Sequence, residues 1–303
     1  MYQQRTLAQK VSCTGLGLHT GAPVRLSLHP ARVGTGIRFV RHKGSTSSEI
    51  VARHESVSAT SHATTLGTGD ASVSTVEHLL AALYALGVSN ARIEVDGPEI
   101  PVMDGSAAPF VHMIRSAGLY EQHEPSVVMQ IERKVVCRDG LRSISIEPAK
   151  YLRISYRIDF AHPLIGVQEL EIERLRPESF EVEVARARTF GFLDELESLR
   201  RAGLARGGSL ANTVVLDRDR VMNPGGLRWR DEFVRHKVLD LIGDLSLLGV
   251  PVHGHVRVER GGHTTHHRLV EELLRQRDAW SLRGDRGGHA NPFDPASAKV
   301  STP

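Results

Sequence analysis

The sequence predicts an α+β fold of two similar domains, each a small β-sheet with two helices, in which the helices are sandwiched between the two sheets. The first observation is an internal repeat: residues 75–95 (TVEHLLAALYALGVSNARIEV) resemble residues 237–257 (KVLDLIGDLSLLGVPVHGHVR), about 162 positions later. The second is the order of the elements. Strand-like runs cluster ahead of the helices in both halves, which favours α+β layers over a doubly wound parallel sheet.

The first half begins with β-rich runs at 24–30 (VRLSLHP) and 36–41 (GIRFVR), which precede an apolar helix that ends in Leu-Gly-Val. Gly87 stands where a left-handed residue is expected to close that helix. A short alternating run at 91–95 predicts the next strand. A glycine-containing turn, MDGSAAPF, then leads to a second helix over 108–117.

The second half repeats this order. Its β-rich runs lie at residues 127–137, 142–148 and 151–158. An apolar helix over 234–250 follows, and Gly249 occupies the closing position. A strand over 252–258, the turn RGGHTTHH and a helix over 265–277 complete the half.

The repeat also predicts the domain boundaries. The first domain covers residues 1–124 and the second covers residues 125–282. Residues 186–230 have no counterpart in the first half, so we expect an insertion built around a helix over 193–202. Residues 283–303 are rich in Gly, Pro, Ser and Ala without periodicity, which predicts a disordered tail.

Composition limits the function classes. The 303 residues are 40% hydrophobic and 24% charged, as in ordinary soluble globular proteins, and a formal net charge of +3 gives no case for nucleic-acid binding. Cys13 and Cys137 are the only cysteines and lie far apart in the sequence, which is typical of a reducing compartment. We find no signal peptide and no apolar run near the ~20 residues that a membrane span needs. These features predict a cytoplasmic protein without a transmembrane segment.

The helix over 234–250 carries polar residues that its apolar surroundings do not explain. Apolar side chains cover most of its circumference, so we expect it to be buried, yet His236, Asp240 and Asp244 lie at i, i+4 and i+8. A buried carboxylate must be paired or bind something. The repeat aligns His78 with Asp240, and two imidazoles with one carboxylate suit a catalytic zinc site that keeps one position open for water. We therefore predict one Zn²⁺ per chain, held by His78, His236 and Asp240.

Three further residues each allow two interpretations. Glu77 directly precedes His78 and is placed to take a proton from water, or it is a first-turn glutamate that favours the helix dipole. His263 has a pKa suited to proton donation near neutral pH, or it is a solvated turn residue. Lys237 is placed to bind a phosphate or an oxyanion, or it is a surface lysine.

Seven motifs carry a family resemblance. In the first half they are GLGLHTG (15–21), STVEHLLAAL (74–83) and EIPVMDGSAAPF (99–110). In the second half they are ARTFGF (187–192), GGSLANTVV (207–215), NPGGLRWRDEFVRHKVLDLIGDL (223–245) and RGGH (260–263). In this order, over roughly residues 1–282, the chain resembles the zinc-dependent UDP-3-O-acyl-N-acetylglucosamine deacetylases of bacterial lipid A biosynthesis.

The resemblance departs from the family's pattern in two places. Residues 54–68, His62 included, match poorly and receive no role. After His263 the family tends to have Leu-Asn, whereas this chain has Thr265 and His266.

The resemblance implies a two-domain α+β fold and a role for each predicted residue. It makes His78, His236 and Asp240 the zinc ligands. It makes Glu77 the general base and His263 the general acid of the reaction.

The resemblance also implies which residues surround the substrate. It places Lys237, Asp244, Thr189 and Phe190 there, with Thr189 holding the developing oxyanion and Asp244 orienting the general acid. We expect Phe190, Lys237 and Leu210 to contact the substrate. The insertion would form an apolar passage for the fatty acyl chain.

The resulting hypothesis is a zinc-dependent deacetylase, an amidohydrolase acting on a linear amide. It hydrolyses the N-acetyl group of UDP-3-O-(3-hydroxyacyl)-N-acetylglucosamine and releases acetate, the committed step of lipid A biosynthesis. The expected partner is this acylated UDP-sugar, and the expected state is a monomer. The alternatives are a non-catalytic two-domain scaffold, with His236, Asp240 and Asp244 as a buried polar network, and a zinc amidohydrolase acting on another amide. Metal content separates the enzyme from the scaffold.

Overall fold

Two large sheets and the helices packed on them make up most of the structure. The computed structural model describes residues 3–284 and is an α+β fold, as predicted. The predicted tail lies outside the described residues from residue 285 onward. The prediction that it begins at Arg283 is wrong, because Arg283 ends a strand and pairs with Val128.

The strands are short and numerous. In the first half they are β1 (Gln3–Leu7), β2 (Val11–Leu16), β3 (Pro23–Pro30), β4 (Ile37–Lys43), β5 (Thr46–Val51), β6 (Val57–Ala59), β7 (Thr65–Thr68), β8 (Ala71–Val73), β9 (Ala91–Val95) and β10 (Leu119–Pro125). In the second half they are β11 (Val128–Ile131), β12 (Val135–Asp139), β13 (Arg142–Glu147), β14 (Leu152–Phe160), β15 (Gly166–Ile172), β16 (Phe190–Phe192), β17 (Val214–Asp217), β18 (Arg220–Val221), β19 (Val252–Glu259) and β20 (Trp280–Arg283).

The α-helices of the described chain are α1 (Glu77–Ala85), α2 (Ala108–Ala117), α3 (Pro177–Ser179), α4 (Leu196–Arg201), α5 (Glu232–Leu245) and α6 (His263–Arg275). Short 3₁₀ turns lie at His54–Ser56, Leu193–Glu195, Ser246–Leu248 and Arg277–Ala279, and a π-helical turn lies at Phe180–Val184. None of the helices within residues 3–284 has the length and hydropathy of a membrane span.

The two large sheets share a topology, as the repeat predicts. The five-stranded sheet has the order β2-β3-β9-β4-β5, and β9 pairs antiparallel with β3 and parallel with β4. In the seven-stranded sheet, β19 pairs antiparallel with β13 and parallel with β14 in the same way. The strand that follows the long helix is therefore central in both sheets.

The long helices α1 and α5 cross at very short range. A Cβ added to Gly243 of α5 would stand 2.1 Å from the carbonyl oxygen of Glu77 on α1, so only glycine fits at the crossing. Glycine inside a helix costs about 1 kcal/mol relative to alanine, which the close packing of the two helices offsets. On its other sides α5 contacts β14 and β15, while α6 packs on β12 and β13. The crossing brings the repeat-related positions of α1 and α5 together.

Several element boundaries differ from the predicted ones. The helix predicted over 234–250 ends at Leu245 and continues as a 3₁₀ turn up to Gly249, whose φ of 75° is left-handed, as is the φ of 73° at Gly87. The last helix begins at His263, two residues earlier than predicted. His263 therefore stands in the first helical turn and not in the loop before it.

Two segments contain structure that the sequence analysis missed. The insertion has only six α-helical residues, in α4, and its strands β16, β17 and β18 form a separate sheet. Strands β6, β7 and β8 form another small sheet within the poorly matching segment and just after it. The division into domains at residues 124 and 125 stays a prediction.

Candidate metal centre and active site

Three buried side chains from α1 and α5 converge at the helix crossing. The Nε2 atoms of His78 and His236 lie 3.6 Å and 3.4 Å from Oδ1 of Asp240. Each of these side chains is no more than 4% exposed. The separations exceed the ~2.7–3.2 Å of a good hydrogen bond, so hydrogen bonding within the group does not account for the arrangement. We call this group the metal triad.

The donor atoms of the metal triad fit a metal ion. Oδ1 of Asp240 is buried and has no hydrogen-bond partner, whereas Oδ2 accepts a hydrogen bond of 2.9 Å from Nζ of Lys237. His236 bonds the Ala187 carbonyl oxygen through Nδ1 at 3.1 Å, which leaves the lone pair of Nε2 facing Asp240. Ligands about 2.0–2.1 Å from a tetrahedral metal stand roughly 3.3 Å apart, close to the separations observed here.

The charges at the metal triad suit a cation. Burial lowers the pKa of His236 to about 3, so its imidazole is neutral, as a metal ligand must be. Burial alone would raise the pKa of Asp240, but the positive charge of Lys237 holds it well below its usual range. Burial would lower the pKa of Lys237, yet Asp240 raises it. Lys237 and Asp240 thus form a charged pair that leaves one carboxylate oxygen free.

A second buried group lies one turn further along α5. Oδ2 of Asp244 lies 2.8 Å from Nδ1 of His263 and 2.8 Å from Nδ1 of His266, and Thr64 donates to Oδ1 at 2.6 Å. Nε2 of His266 lies 3.0 Å from the hydroxyl of Tyr156. These are hydrogen-bond distances, so ordinary hydrogen bonds account for the spacing of this group and no ion is required. We call Asp244, His263 and His266 the hydrogen-bonded triad.

Glu77 and His263 face each other between the two triads. Oε1 of Glu77 lies 3.8 Å from Nε2 of His263, and its Oε2 accepts a hydrogen bond of 3.1 Å from the backbone N–H of Thr64. Burial raises the pKa of Glu77. Burial would lower the pKa of His263, but Asp244 raises it to about 9. The Glu77 carboxylate, whose raised pKa makes it a better proton acceptor, therefore faces the His263 imidazole, which is protonated at neutral pH.

A cleft of about 330 Å³ opens onto this arrangement. It is lined by predicted site residues from both halves of the chain, namely Glu77, His78, Thr189, Phe190, His236, Lys237, Asp240 and His263. Asp244 does not line the cleft and lies behind His263, as expected of a residue that orients it. Leu210 does not line the cleft either and is 43% exposed.

Thr189 is held in the cleft by backbone contacts between the insertion and the first half. Its N–H donates to the carbonyl oxygen of Gly105 at 2.8 Å, and its carbonyl oxygen accepts from Val214 at 2.8 Å. A Cβ on Gly105, whose φ is 84°, would stand 1.8 Å from the Asn212 carbonyl oxygen. Only glycine at this turn allows the two chain segments to meet.

A buried ion pair fixes the segment just before β16. Arg188 donates to Glu232 through its backbone N–H and through its Nε, at 3.1 Å and 2.8 Å. Glu232 is fully buried and also accepts the backbone N–H of Arg228. Arg228 in turn bonds Asp104 at 2.9 Å, which links the insertion to the first-half turn.

Several residues of the cleft were not predicted from the sequence. The cleft is also lined by His19, His62, Arg142 and Phe160. Thr64 bridges Glu77 to the hydrogen-bonded triad. His19 lies in the GLGLHTG motif, which was a usable signal. The others lie in segments with no motif of their own.

Glu99 anchors the loop that carries His19. This fully buried carboxylate accepts hydrogen bonds of 2.9 Å from the backbone N–H groups of His19 and Thr20 and from the hydroxyl of Thr75. Because Thr75 lies just before α1, the loop is fixed relative to the helix of the metal triad. Both ring nitrogens of His19 are buried without a hydrogen-bond partner.

Comparison with known proteins gives a consistent result. Residues 4–275 match the family described as UDP-3-O-acyl N-acetylglycosamine deacetylase. The UDP-3-O-acyl-N-acetylglucosamine deacetylase of Myxococcus xanthus (strain DK1622) is 50% identical over 273 residues, 90% of this chain and 87% of that protein. Proteins of the same name from Teredinibacter turnerae (strain ATCC 39867 / T7901) and Acidithiobacillus ferrooxidans (strain ATCC 53993 / BNL-5-31) are 47% and 48% identical. These two alignments cover 93% and 99% of this chain, and the same shares of those proteins.

Proposed function

We propose that this chain, which belongs to the family of UDP-3-O-acyl N-acetylglycosamine deacetylases, hydrolyses the N-acetyl group of a UDP-linked 3-O-acyl-N-acetylglucosamine in lipid A biosynthesis. Family membership rests on the match over residues 4–275 and on relatives that are 47–50% identical over at least 90% of the chain. In our proposal the acyl group is a 3-hydroxyacyl chain and the second product is acetate.

One observation carries the mechanism. The metal triad, a carboxylate whose pKa is raised and an imidazole whose pKa is about 9 all meet at one cleft. An amide needs a polarised carbonyl, an activated water and a protonated leaving nitrogen in order to hydrolyse, and the cleft offers a group for each requirement.

We infer that the metal is zinc. Two imidazoles and one carboxylate are a typical ligand set of catalytic zinc, and His78, His236 and Asp240 would hold it. The chemistry that zinc supplies when bound is Lewis-acid polarisation of the amide carbonyl and a lowered pKa for water.

Glu77 and His263 divide the proton transfers. Glu77 accepts a proton from the attacking water, and the loss of solvation that raises its pKa makes it a stronger base at neutral pH. His263 donates the proton on Nε2 to the departing amine. Asp244 holds Nδ1 of His263 at 2.8 Å and so stabilises the imidazolium before that transfer.

Thr189 and Lys237 surround the acetyl group. The hydroxyl of Thr189 donates to the oxyanion that forms on the carbonyl oxygen, and two backbone hydrogen bonds fix Thr189 for this role. Lys237 keeps Asp240 ionised and adds a positive charge at the same edge of the cleft. Both contributions grow as negative charge develops on the substrate.

The insertion is suited to the fatty acyl chain. Phe190 lines the cleft, and its ring lies 5.8 Å from that of Phe160 and 6.4 Å from that of Phe192, centroid to centroid. Beyond this aromatic wall, α4 buries none of its residues, and Leu193 is 38% exposed. Apolar side chains left exposed in this way fit an extended alkyl ligand, and burying each CH₂ contributes about 0.8 kcal/mol.

Acetate release from matched substrates tests the proposal. We expect turnover of a UDP-3-O-acyl-N-acetylglucosamine and a loss of several orders of magnitude in kcat/KM when the 3-O-acyl chain is absent. Replacing residues 193–204 by a short Gly-Ser linker should abolish this discrimination while the metal content stays the same. Absence of acetate release by the metal-loaded protein would favour the scaffold, and release from other amides alone would favour a different amidohydrolase.

Other features stay predictions. These are the monomeric state, the cytoplasmic location, the division at residues 124 and 125 and the contact of Leu210 with substrate. The size of the protein in solution, measured by light scattering, tests the first of them.

A further inference from the structure

One fully buried histidine beside the active site has no part in the proposed reaction. His266 lies one turn after His263 on α6 and is 0% exposed. A buried imidazole must have its polar atoms satisfied, and the partners of His266 show what it does.

Both ring nitrogens of His266 are hydrogen-bonded. Nδ1 lies 2.8 Å from Oδ2 of Asp244, and Nε2 lies 3.0 Å from the hydroxyl of Tyr156. A carboxylate only accepts hydrogen bonds, so the proton of His266 is on Nδ1. Nε2 then accepts the proton of Tyr156. Burial lowers the pKa of His266 and raises the pKa of Tyr156, which keeps both groups neutral.

The result is a chain of hydrogen bonds that ends at the general acid. It runs from the hydroxyl of Tyr156 through His266 to Oδ2 of Asp244, which also accepts the Nδ1 proton of His263. Thr64 occupies the other carboxylate oxygen at 2.6 Å. Both oxygens of Asp244 are therefore fixed, and the carboxylate cannot turn away from His263 without breaking a buried hydrogen bond.

A glycine in the backbone leaves room for the hydrogen bond between Tyr156 and His266. A Cβ added to Gly261 would stand 2.9 Å from the hydroxyl of Tyr156 and 3.5 Å from Nε2 of His266. The glycine just before α6 thus lets Tyr156 reach the histidine. Tyr156 itself is 1% exposed and comes from β14, on the sheet beneath the helices.

We propose that His266, backed by Tyr156, is a positioning residue for deacetylation, which fixes the Asp244 carboxylate so that His263 is held in its proton-donating orientation. The inference rests on the proposed function, because it assigns His263 as the acid. His266 does not touch the cleft and acts only through Asp244.

Charged and titratable groups from several elements face this chain of hydrogen bonds. Glu77 of α1 faces His263, and Asp240 and Asp244 of α5 face both histidines. Tyr156 faces His266 from β14. Because each of these groups affects the pH profile, the profiles are compared only between variants of His266, which keep all the other groups.

Two near-isosteric substitutions separate the contacts of His266. An Asn amide occupies the position of Nδ1 and keeps a donor to Asp244, whereas a Gln amide reaches the position of Nε2 and contacts Tyr156 instead. We expect His266→Gln and His266→Leu to lower kcat about 10- to 100-fold with KM unchanged, as for a lost hydrogen bond to a charged group. We expect His266→Asn to stay within about threefold of the unsubstituted protein.

The pH profile gives a second measurement. Without the donor from His266 the Asp244 carboxylate can turn away and stabilise the His263 imidazolium less, so the alkaline limb of kcat should move to lower pH in His266→Gln and stay in place in His266→Asn. Equal kcat values and equal alkaline limbs in the Asn and Gln variants would overturn the proposal, whether both are active or both inactive. If His266→Leu fails to fold, the Asn and Gln pair decides alone.

Nitrogen-15 NMR of histidine-labelled protein gives a result that is independent of turnover. We expect neutral His266 with its proton on Nδ1, and a proton on Nε2 would overturn the inference. Because this result does not need a substrate, it stands even if the unsubstituted protein releases no acetate. In that case the proposed function fails while the hydrogen-bond chain is still tested.

Discussion

The metal triad and the hydrogen-bonded triad each combine two histidines with an aspartate of α5, and they differ in the spacing of their donor atoms. In the metal triad, imidazole nitrogens stand 3.4 Å and 3.6 Å from Oδ1 of Asp240, and that oxygen has no hydrogen-bond partner. In the hydrogen-bonded triad, imidazole nitrogens stand 2.8 Å from Oδ2 of Asp244, and Thr64 satisfies Oδ1. The donor atoms of the first group are spaced as the ligands of a cation are, whereas hydrogen bonds account for the second group.

In the proposed mechanism, one helix supplies two functions. Asp240 and Asp244 are one turn apart, so they present carboxylates at successive levels of the same face. At the level of Asp240, α1 supplies His78. At the level of Asp244, α6 supplies His263 and His266. We infer that the neighbouring helix decides whether the carboxylate binds a metal or orients the proposed general acid.

The largest effect should follow from breaking the metal triad. Replacing His78, His236 or Asp240 by Ala should remove most of the metal and reduce deacetylation to background, because three protein ligands leave no spare. Elemental analysis of purified protein measures the metal. Asp244→Asn is the matched control and should keep full metal content. If all three alanine variants kept stoichiometric metal and activity, the assignment of the triad would be wrong.

The next effect concerns Glu77, which lies between the triads. Glu77→Ala should keep the metal and lower kcat by about 10² to 10⁴, the usual range for a lost general base. Steady-state kinetics together with metal content measure both parts. An unchanged kcat would return Glu77 to the role of a first-turn glutamate that favours the helix dipole.

The pH dependence of kcat/KM tests the different protonation states of His263 and Glu77. His263 donates only while protonated, and its pKa is raised to about 9, so kcat/KM should fall as the pH rises through about 9. His263→Gln should remove this alkaline limb, and Glu77→Gln should remove the acidic one. A profile in which neither substitution moves a limb would require new assignments for both residues.

The smallest effect should come from the helix crossing. Gly243→Ala forces α1 away from α5 and should lower the free energy of unfolding by about 1–3 kcal/mol, the usual cost of overpacking. It should also weaken metal binding, because His78 moves away from Asp240, while the contacts of Asp244 remain. Gly225→Ala is the matched control, since an added Cβ there meets nothing within 4 Å. Equal metal affinity in both variants would show that the crossing does not set the metal triad.

The repeat explains why much of the fold and the metal triad could be predicted from the sequence. Apolar periodicity fixes α1 and α5, and aligning the halves places His78 opposite Asp240. The buried face of α5 and the left-handed Gly249 follow from the same pattern, whereas α5 begins at Glu232, two residues before the predicted start. The roles of Glu77 and His263 needed the family resemblance, because their spacing alone allowed other interpretations.

The remaining contacts depend on long-range packing that no local pattern encodes. Thr64 reaches Asp244 across 180 positions, and Tyr156 reaches His266 across 110. Strand β16 has three residues, too few for an alternation of buried and exposed side chains to be recognised. A threonine or a tyrosine in such a segment looks like an ordinary core or surface residue until the fold places it.

We propose that α5 contributes to one metal site and that this site lies at Asp240 and not at Asp244. The most direct measurement is anomalous X-ray diffraction at the zinc absorption edge from crystals of the zinc-loaded protein. We expect a single anomalous peak between His78, His236 and Asp240, with no peak at Asp244. A peak between Asp244, His263 and His266, or no bound metal at either group, would contradict it.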